Sequence, residues 1–159
     1  MPDPAPVVAR DLLFTCRVTI WLWAVGALMD TANRDYNDYR VLVADGESVM
    51  RREVAAALEG LGLDVYEARR GEEVCEVISV VRIDALVLDS GLPAFGGLET
   101  IRIMRTFQRV PPFVLVAEDP TRELQVEALE WLATSVLPKP VDMMLLSDIV
   151  RTMLARATF

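Results

Sequence analysis

The sequence predicts an α/β fold, a doubly wound five-stranded parallel sheet with helices on both faces. Three observations carry that prediction. Five short apolar runs alternate with segments of helical periodicity between residues 40 and 155. The run Ala85-Leu86-Val87-Leu88 is continuous rather than alternating, and so reads as a strand buried on both faces. Each run closes on an acid or on turn residues before a helix begins, which implies parallel strands joined by right-handed crossovers.

Residues 1–38 stand apart from this pattern. Residues 1–6 are Pro-rich and read as a frayed end. Residues 11–29 are mostly apolar and include Leu12, Leu13, Phe14, Trp21 and Trp23. Their uninterrupted part, 18–29, is shorter than the ~20 residues a spanning helix needs, so no membrane span is expected. Ala24-Val25-Gly26-Ala27 is a poor cleavage site for a signal peptide. The expectation is an extra N-terminal apolar helix, packed on the domain or on a second copy as a homodimer contact. The other reading takes Met29 as the natural start. Residues 31–40 are a polar linker, placing a boundary near residue 38 between an extension (1–38) and a domain (39–159).

The domain's elements follow in order. Residues 40–44 form a strand that ends at Asp45. Ser48 is placed to cap a helix running to Gly60, with Val54, Ala57 and Leu58 at helical spacing. Residues 63–67 are the second strand, and Gly71 opens a helix carrying Val74, Val77, Ile78 and Val81. Residues 84–89 are the third strand, closed by Asp89 and a loop with Gly91, Pro93, Gly96 and Gly97. The third helix, 98–108, sets Ile101, Met104 and Phe107 on one face. Pro111-Pro112 precedes a fourth strand at 113–117. Thr121 starts a helix to about Leu132. A short fifth strand, 135–137, leads into Pro138-Lys139-Pro140, and the last helix runs from Asp142 to about residue 155.

Composition narrows the function classes. The 159 residues are 53% hydrophobic and 25% charged, which suits one globular domain with a full core. A net charge of −8 argues against a nucleic-acid surface, which needs clustered Lys and Arg. With no His, and with Cys16 and Cys75 isolated, a zinc site and the usual hydrolytic constellations are excluded. The two cysteines suit a reducing cytoplasm. Any metal would be a hard ion held by oxygens. A small α/β enzyme or flavin binder would need a phosphate-cradling loop after the first strand. Asp45-Gly46-Glu47-Ser48 is acidic there, so enzymatic turnover is not expected.

In a doubly wound sheet the C-terminal strand ends converge on one edge, where ligands bind. That edge would collect Asp45, with Glu47 close behind, Asp89 and Lys139, the only lysine among 16 basic residues. Read alone, Asp89 equally ends a strand or caps a turn, and the lesser reading of Lys139 is a solvated turn residue. Together they set two carboxylates against an ammonium. Like charges so close need a cation between them, either Mg²⁺ or the lysine itself.

From residue 40 to about 155 the chain resembles the receiver domain of two-component response regulators, a flavodoxin-like fold. The resemblance rests on Val-Leu-Val-Ala-Asp45, on Leu-Val-Leu-Asp89 with Gly91-Leu92-Pro93 and Gly96-Gly97, and on Lys139-Pro140. It implies that Asp89 is a phosphoacceptor for a histidine kinase or phosphotransfer protein. It implies that Asp45, Asp89 and the Gly91 carbonyl hold Mg²⁺, that Lys139 contacts the phosphoryl oxygens, and that the Lys139–Pro140 bond is cis. Three positions depart from the family pattern. Gly46 stands where a second acid usually ligates the metal; Glu47, one residue on, reaches it only if the loop shifts. Ala117 stands where a hydroxyl is usual, and Val136 where a switch aromatic is usual. The expectation is an atypical receiver with a weakened Mg²⁺ site that acts by binding a protein partner. The alternative is a phosphorylation-competent shuttle using Mg²⁺. The sequence as given leaves no room for an output domain after the last helix, so a stand-alone receiver is expected. Its partner face would be the fourth helix, fifth strand and fifth helix, with Leu124, Glu127, Glu130 and Trp131; Trp131 is equally read as core packing.

Overall fold

The apolar runs become the strands of one sheet. The computed structural model describes residues 38–107 and 109–157, and the helix expected within residues 11–29 lies outside them. The described chain alternates β1 (Arg40–Ala44), α1 (Ser48–Glu59), β2 (Asp64–Ala68), α2 (Gly71–Val80), β3 (Ala85–Asp89), α3 (Gly97–Arg105), β4 (Phe113–Ala117), α4 (Arg122–Glu130), β5 (Ser135–Pro138) and α5 (Met143–Ala157). The strands pair in the order β2-β1-β3-β4-β5, all in parallel. β3 and β4 hold interior positions and are buried at every residue, which is why their sequences carry no polar alternation. β2 lies at the edge and mixes Asp64, Tyr66 and Glu67 with apolar residues.

Alternate strand residues feed two cores. Val41, Val43, Val87, Val114 and Val116 pack with Val54 and Leu58 of α1 and Leu146 and Val150 of α5. Leu42, Leu86, Leu88, Phe113 and Leu115 pack with Val74 of α2, Ile101 and Met104 of α3 and Ala128 of α4. Each fully buried aliphatic side chain stabilises the fold by roughly 1.5–3 kcal/mol. β-branched valines dominate one face and leucines the other, and both faces are buried.

Several boundaries differ from the expectation. Ser48 does not cap α1. Glu47 is the N-cap with extended backbone, its side chain makes no capping bond, and its own N–H donates to Asp45 Oδ1. β2 begins at Asp64 rather than Leu63, since the ladder with β1 pairs Arg40 with Asp64. Val81 lies past α2 in extended backbone. α4 is shorter than expected, capped by the Thr121 hydroxyl, which accepts from the Leu124 N–H, and ended as Leu132 takes a left-handed φ of 64°. Asp142 caps α5, its Oδ1 accepting from the Met144 and Leu145 N–H groups.

Close packing between β3 and α3 sets the position of Asp89. A Cβ on Gly97 would stand 2.5 Å from the Asp89 carbonyl oxygen and 3.0 Å from Leu115 Cδ1. Gly97→Ala is expected to lower stability in urea unfolding by about 1–3 kcal/mol through overpacking. Gly60→Ala is its control: the backbone is right-handed there and nothing lies nearer than 3.4 Å. That change is expected to leave stability unaltered or raise it by about 0.5 kcal/mol. Equal effects of the two would reject the packing argument.

Candidate functional site

Parallel strands point their C-terminal ends at one rim, and here the rim gathers charge. β1 releases Asp45, β3 ends on Asp89, and β5 leads through Pro138 into Lys139. The ladder brings Ala44 level with Leu88, and Ala117 level with Pro138. The Lys139 N–H donates to the Ala117 carbonyl at 2.8 Å, and the Ser90 N–H to the Val116 carbonyl at 2.7 Å, so backbone bonds carry the register past the strand ends. The Lys139–Pro140 peptide is cis.

The ammonium sits between the two acids. Lys139 Nζ is 3.1 Å from Asp45 Oδ2 and 3.3 Å from Asp89 Oδ1. Asp45 and Asp89 are only 5% and 9% exposed, yet both line a cleft with Met50, Arg51 and Val116. Burial and the facing Asp45 charge push the Asp89 carboxyl up from its ordinary range, against the pull of Lys139 and the Gly91 N–H. Burial pulls the Lys139 ammonium down, but its bond to Asp45 and the charges of Asp89 and Asp45 outweigh this and raise its pKa. The cation therefore stays charged at neutral pH.

The flanking groups take distinct places. The Glu47 N–H donates to Asp45 Oδ1 at 2.8 Å, while the Glu47 side chain is exposed. The Gly91 N–H faces Asp89 Oδ1 at 3.3 Å. Ala117 is buried at the end of β4, and half-buried Val136 packs into the layer beneath α2, α3 and α4. One residue at the cleft escaped the sequence reading. Arg51 Nη1 donates to the Asp45 carbonyl at 2.8 Å, and its Nε lies 3.3 Å from Glu67 Oε1. Its position one helical turn after Glu47 was the available signal, but its partners are a backbone oxygen and a strand across the sheet.

Asp45, Asp89 and the Gly91 carbonyl are hard oxygen donors, which fits Mg²⁺ in kind. Their number is low. Among the described residues, no three acids, cysteines or histidines are grouped to hold a metal, so Glu47 is not brought to the pair.

Fold and site together define a doubly wound α/β domain with an acid–ammonium cleft at its strand ends. A family model for the response regulator receiver domain matches residues 41–151, and the chain belongs to that family. It is 36% identical over 120 residues to the response regulator MprA of Mycolicibacterium vanbaalenii, covering 75% of this chain and 52% of that protein. It is 37% identical over 118 residues to the MprA of Mycobacterium ulcerans, covering 74% and 50%. The chain thus spans about half the length of the curated relatives it matches. Among solved structures, the Francisella response regulator 1452 receiver domain aligns with a TM-score of 0.70 at 24% identity, over 75% of this chain and 98% of that one. A CheY-like receiver from Methanospirillum hungatei aligns at 0.70 and 21%, over 75% and 95%. Two-component signalling is therefore the setting of this domain. Among the described residues, no helix is long and apolar enough to cross a membrane.

The electrostatics of Asp89 have a measurable sign. Its raised pKa means that the folded state holds this proton more tightly than the unfolded state does. Asp89 thus favours folding at acid pH, below its unfolded-state pKa, and loses that contribution as pH rises through its folded value. Asp89→Asn is expected to be more stable than wild type at neutral pH by on the order of 1 kcal/mol, with the gap closing in acid. Thermal unfolding across a pH series reads this. A less stable variant at neutral pH would mean that the bond to Lys139 outweighs burial and repulsion.

Proposed function

We propose that this chain is an atypical receiver in which Asp89 is the phosphoacceptor, Lys139 the phosphoryl contact and Asp45 the remaining metal acid. Its output is protein–protein interaction. The observation that carries the reading is the Lys139 ammonium held between Asp45 and Asp89, beside strand ends that offer only Ala117 and Val136.

In this reading an Asp89 carboxylate oxygen attacks the phosphorus of a phosphohistidine on a histidine kinase or phosphotransfer protein. The P–O bond forms as the P–N bond breaks, and the electron pair returns to the imidazole nitrogen. Lys139 holds the charge that gathers on the phosphoryl oxygens. Mg²⁺, when bound by Asp45, Asp89 and the Gly91 carbonyl, adds charge neutralisation, weakened by the place of Gly46. Ala117 has no hydroxyl to bond the phosphoryl group, so the modified and free states differ by one contact fewer, and a ligand shifts an equilibrium only through such differences.

The partner face of this reading is α4, β5 and α5. Leu124 is half-buried, whereas Glu127 and Glu130 are exposed alongside Val126, Leu129, Met144 and Leu145. Trp131 is engaged within the domain. The guanidinium carbons of Arg105 and Arg102 stand 5.0 Å and 5.8 Å from its ring centre, and Arg105 Nη2 donates to its carbonyl.

The test is beryllofluoride or acetyl phosphate with Mg²⁺, followed by intact mass and amide chemical shifts. Modification is expected to be substoichiometric, with shifts confined to the surroundings of Asp89. Stoichiometric modification with shifts spread through α4 and α5 would reject the atypical reading in favour of a competent phosphotransfer shuttle.

A further inference from the structure

Every bonding group of Asp45 is held. Its N–H donates to the Ala68 carbonyl at 3.1 Å, and its carbonyl accepts from Arg51 Nη1 at 2.8 Å. Oδ1 accepts from the Glu47 N–H at 2.8 Å, and Oδ2 accepts from Lys139 Nζ at 3.1 Å. Arg51 closes this arrangement. Its own N–H donates to the Glu47 carbonyl at 3.0 Å, so Asp45, Glu47 and Arg51 are joined in a ring of hydrogen bonds. We propose that Arg51 is the positioning residue of the cleft: it closes the loop after β1 onto α1, ties that loop to Glu67 of β2, and so holds the Asp45 carboxylate against Lys139. This rests on the reading of Asp45 and Lys139 given above and deepens it, since Arg51 acts only through Asp45.

The guanidinium is suited to this work. Its side chain is 11% exposed, and Nε stands 3.3 Å from Glu67 Oε1 while Nη1 holds the Asp45 carbonyl. A planar fork gripped at two of its nitrogens has little freedom left to turn. Glu67 precedes Ala68, the residue that takes the Asp45 N–H, and β1 pairs Val43 with Glu67 and Ala44 with Ala68. The main chain of Asp45 and the guanidinium that holds it are thus anchored on two successive residues of β2. Gly46, next in the chain, brings the widest backbone freedom of any residue. Without the Arg51 bond the peptide between Asp45 and Gly46 could rotate, and the carboxylate would turn with it. Arg52 meets the same glutamate from the solvent side. Its Nη1 lies 2.6 Å from Glu67 Oε2, but its side chain is 70% exposed. The two arginines share one acid, and only Arg51 also bonds Asp45.

The test uses the fact that Lys139 is the only lysine. In the full chain grown with isotope-labelled lysine, kept metal-free at a single neutral pH, the ε-methylene NMR signal reports Lys139 alone. Asp45→Ala marks where that signal lies once Lys139 has lost this partner. Arg51→Met keeps the apolar stem and removes the guanidinium; it is expected to move the signal most of the way to the Asp45→Ala position. Glu67→Gln leaves Arg51 in place and removes its charged anchor; it is expected to move the signal in the same direction and less far. Arg52→Gln is expected to leave the signal where it is. Leu58→Ala, a core change on the same helix, is expected to lower the melting temperature and also to leave the signal where it is, which separates positioning from general support of the fold. A signal unmoved by Arg51→Met or by Glu67→Gln would overturn the proposal. So would a signal moved as far by Arg52→Gln or Leu58→Ala as by Arg51→Met. The atypical reading fails by a separate result, stoichiometric modification of the wild type.

Discussion

The Lys139 ammonium between Asp45 and Asp89 is the interaction on which the site depends. Two carboxylates that face each other at low exposure repel, and water cannot screen them fully. A single cation within hydrogen-bonding reach of both makes the arrangement tolerable. Only a parallel sheet brings these three residues together, because β1, β3 and β5 all end at the same rim. The buried valines and leucines beneath are thus in the service of a charge arrangement, and Gly97 lets α3 close on the Asp89 backbone so that the acid is held rather than loose.

A chemically competent carboxylate does not by itself make a switch. Switching requires contacts that exist in one state and not in the other. Around Asp89 the neighbours able to provide them are few. β4 ends in Ala117, β5 carries Val136, half-buried against the core, and Gly46 offers no carboxylate. On the proposed reading the cleft therefore retains its resident charge pair and lacks the elements that would report a change in it.

Most of the fold was legible because its signals are local or periodic. Continuous apolar runs marked the interior strands, turn signals and the alternation with helices placed β2 and β5, and Asp45, Asp89 and Lys139 stood at the ends where topology would gather them. What escaped was set by contacts that sequence spacing does not encode. Ser48 has a good capping side chain, but the helix begins one residue earlier than its capping role requires, with Glu47 at the N-cap and Ser48 already inside. Leu63 is apolar and buried, yet the ladder starts at Asp64 because register is set by β1. Arg51 reads as one more charge on a helix; its role against the Asp45 carbonyl appears only when α1 is laid over the loop. Trp131 was open between core packing and a partner anchor, and the two arginines of α3 account for its ring and carbonyl.

If the domain is atypical as proposed, the route from the cleft to α4 gives the physical reason. α4 buries only Ala128 among its nine residues, so it is the helix least committed to the core. It is held at its start by the Thr121 cap and just past its end by Trp131 against Arg102 and Arg105. The described links from Asp89 towards it pass through main-chain bonds, Ser90 to Val116 and Lys139 to Ala117, and then through the loop after β4. Main-chain ladder bonds fix positions; they do not offer the two alternative arrangements that a hydroxyl or a rotating ring can adopt. On the proposed reading, a helix so lightly docked is available to a partner, while the cleft has little leverage on it. On the proposed reading, binding at α4 and chemistry at Asp89 are therefore more weakly coupled here than the shared fold alone would imply.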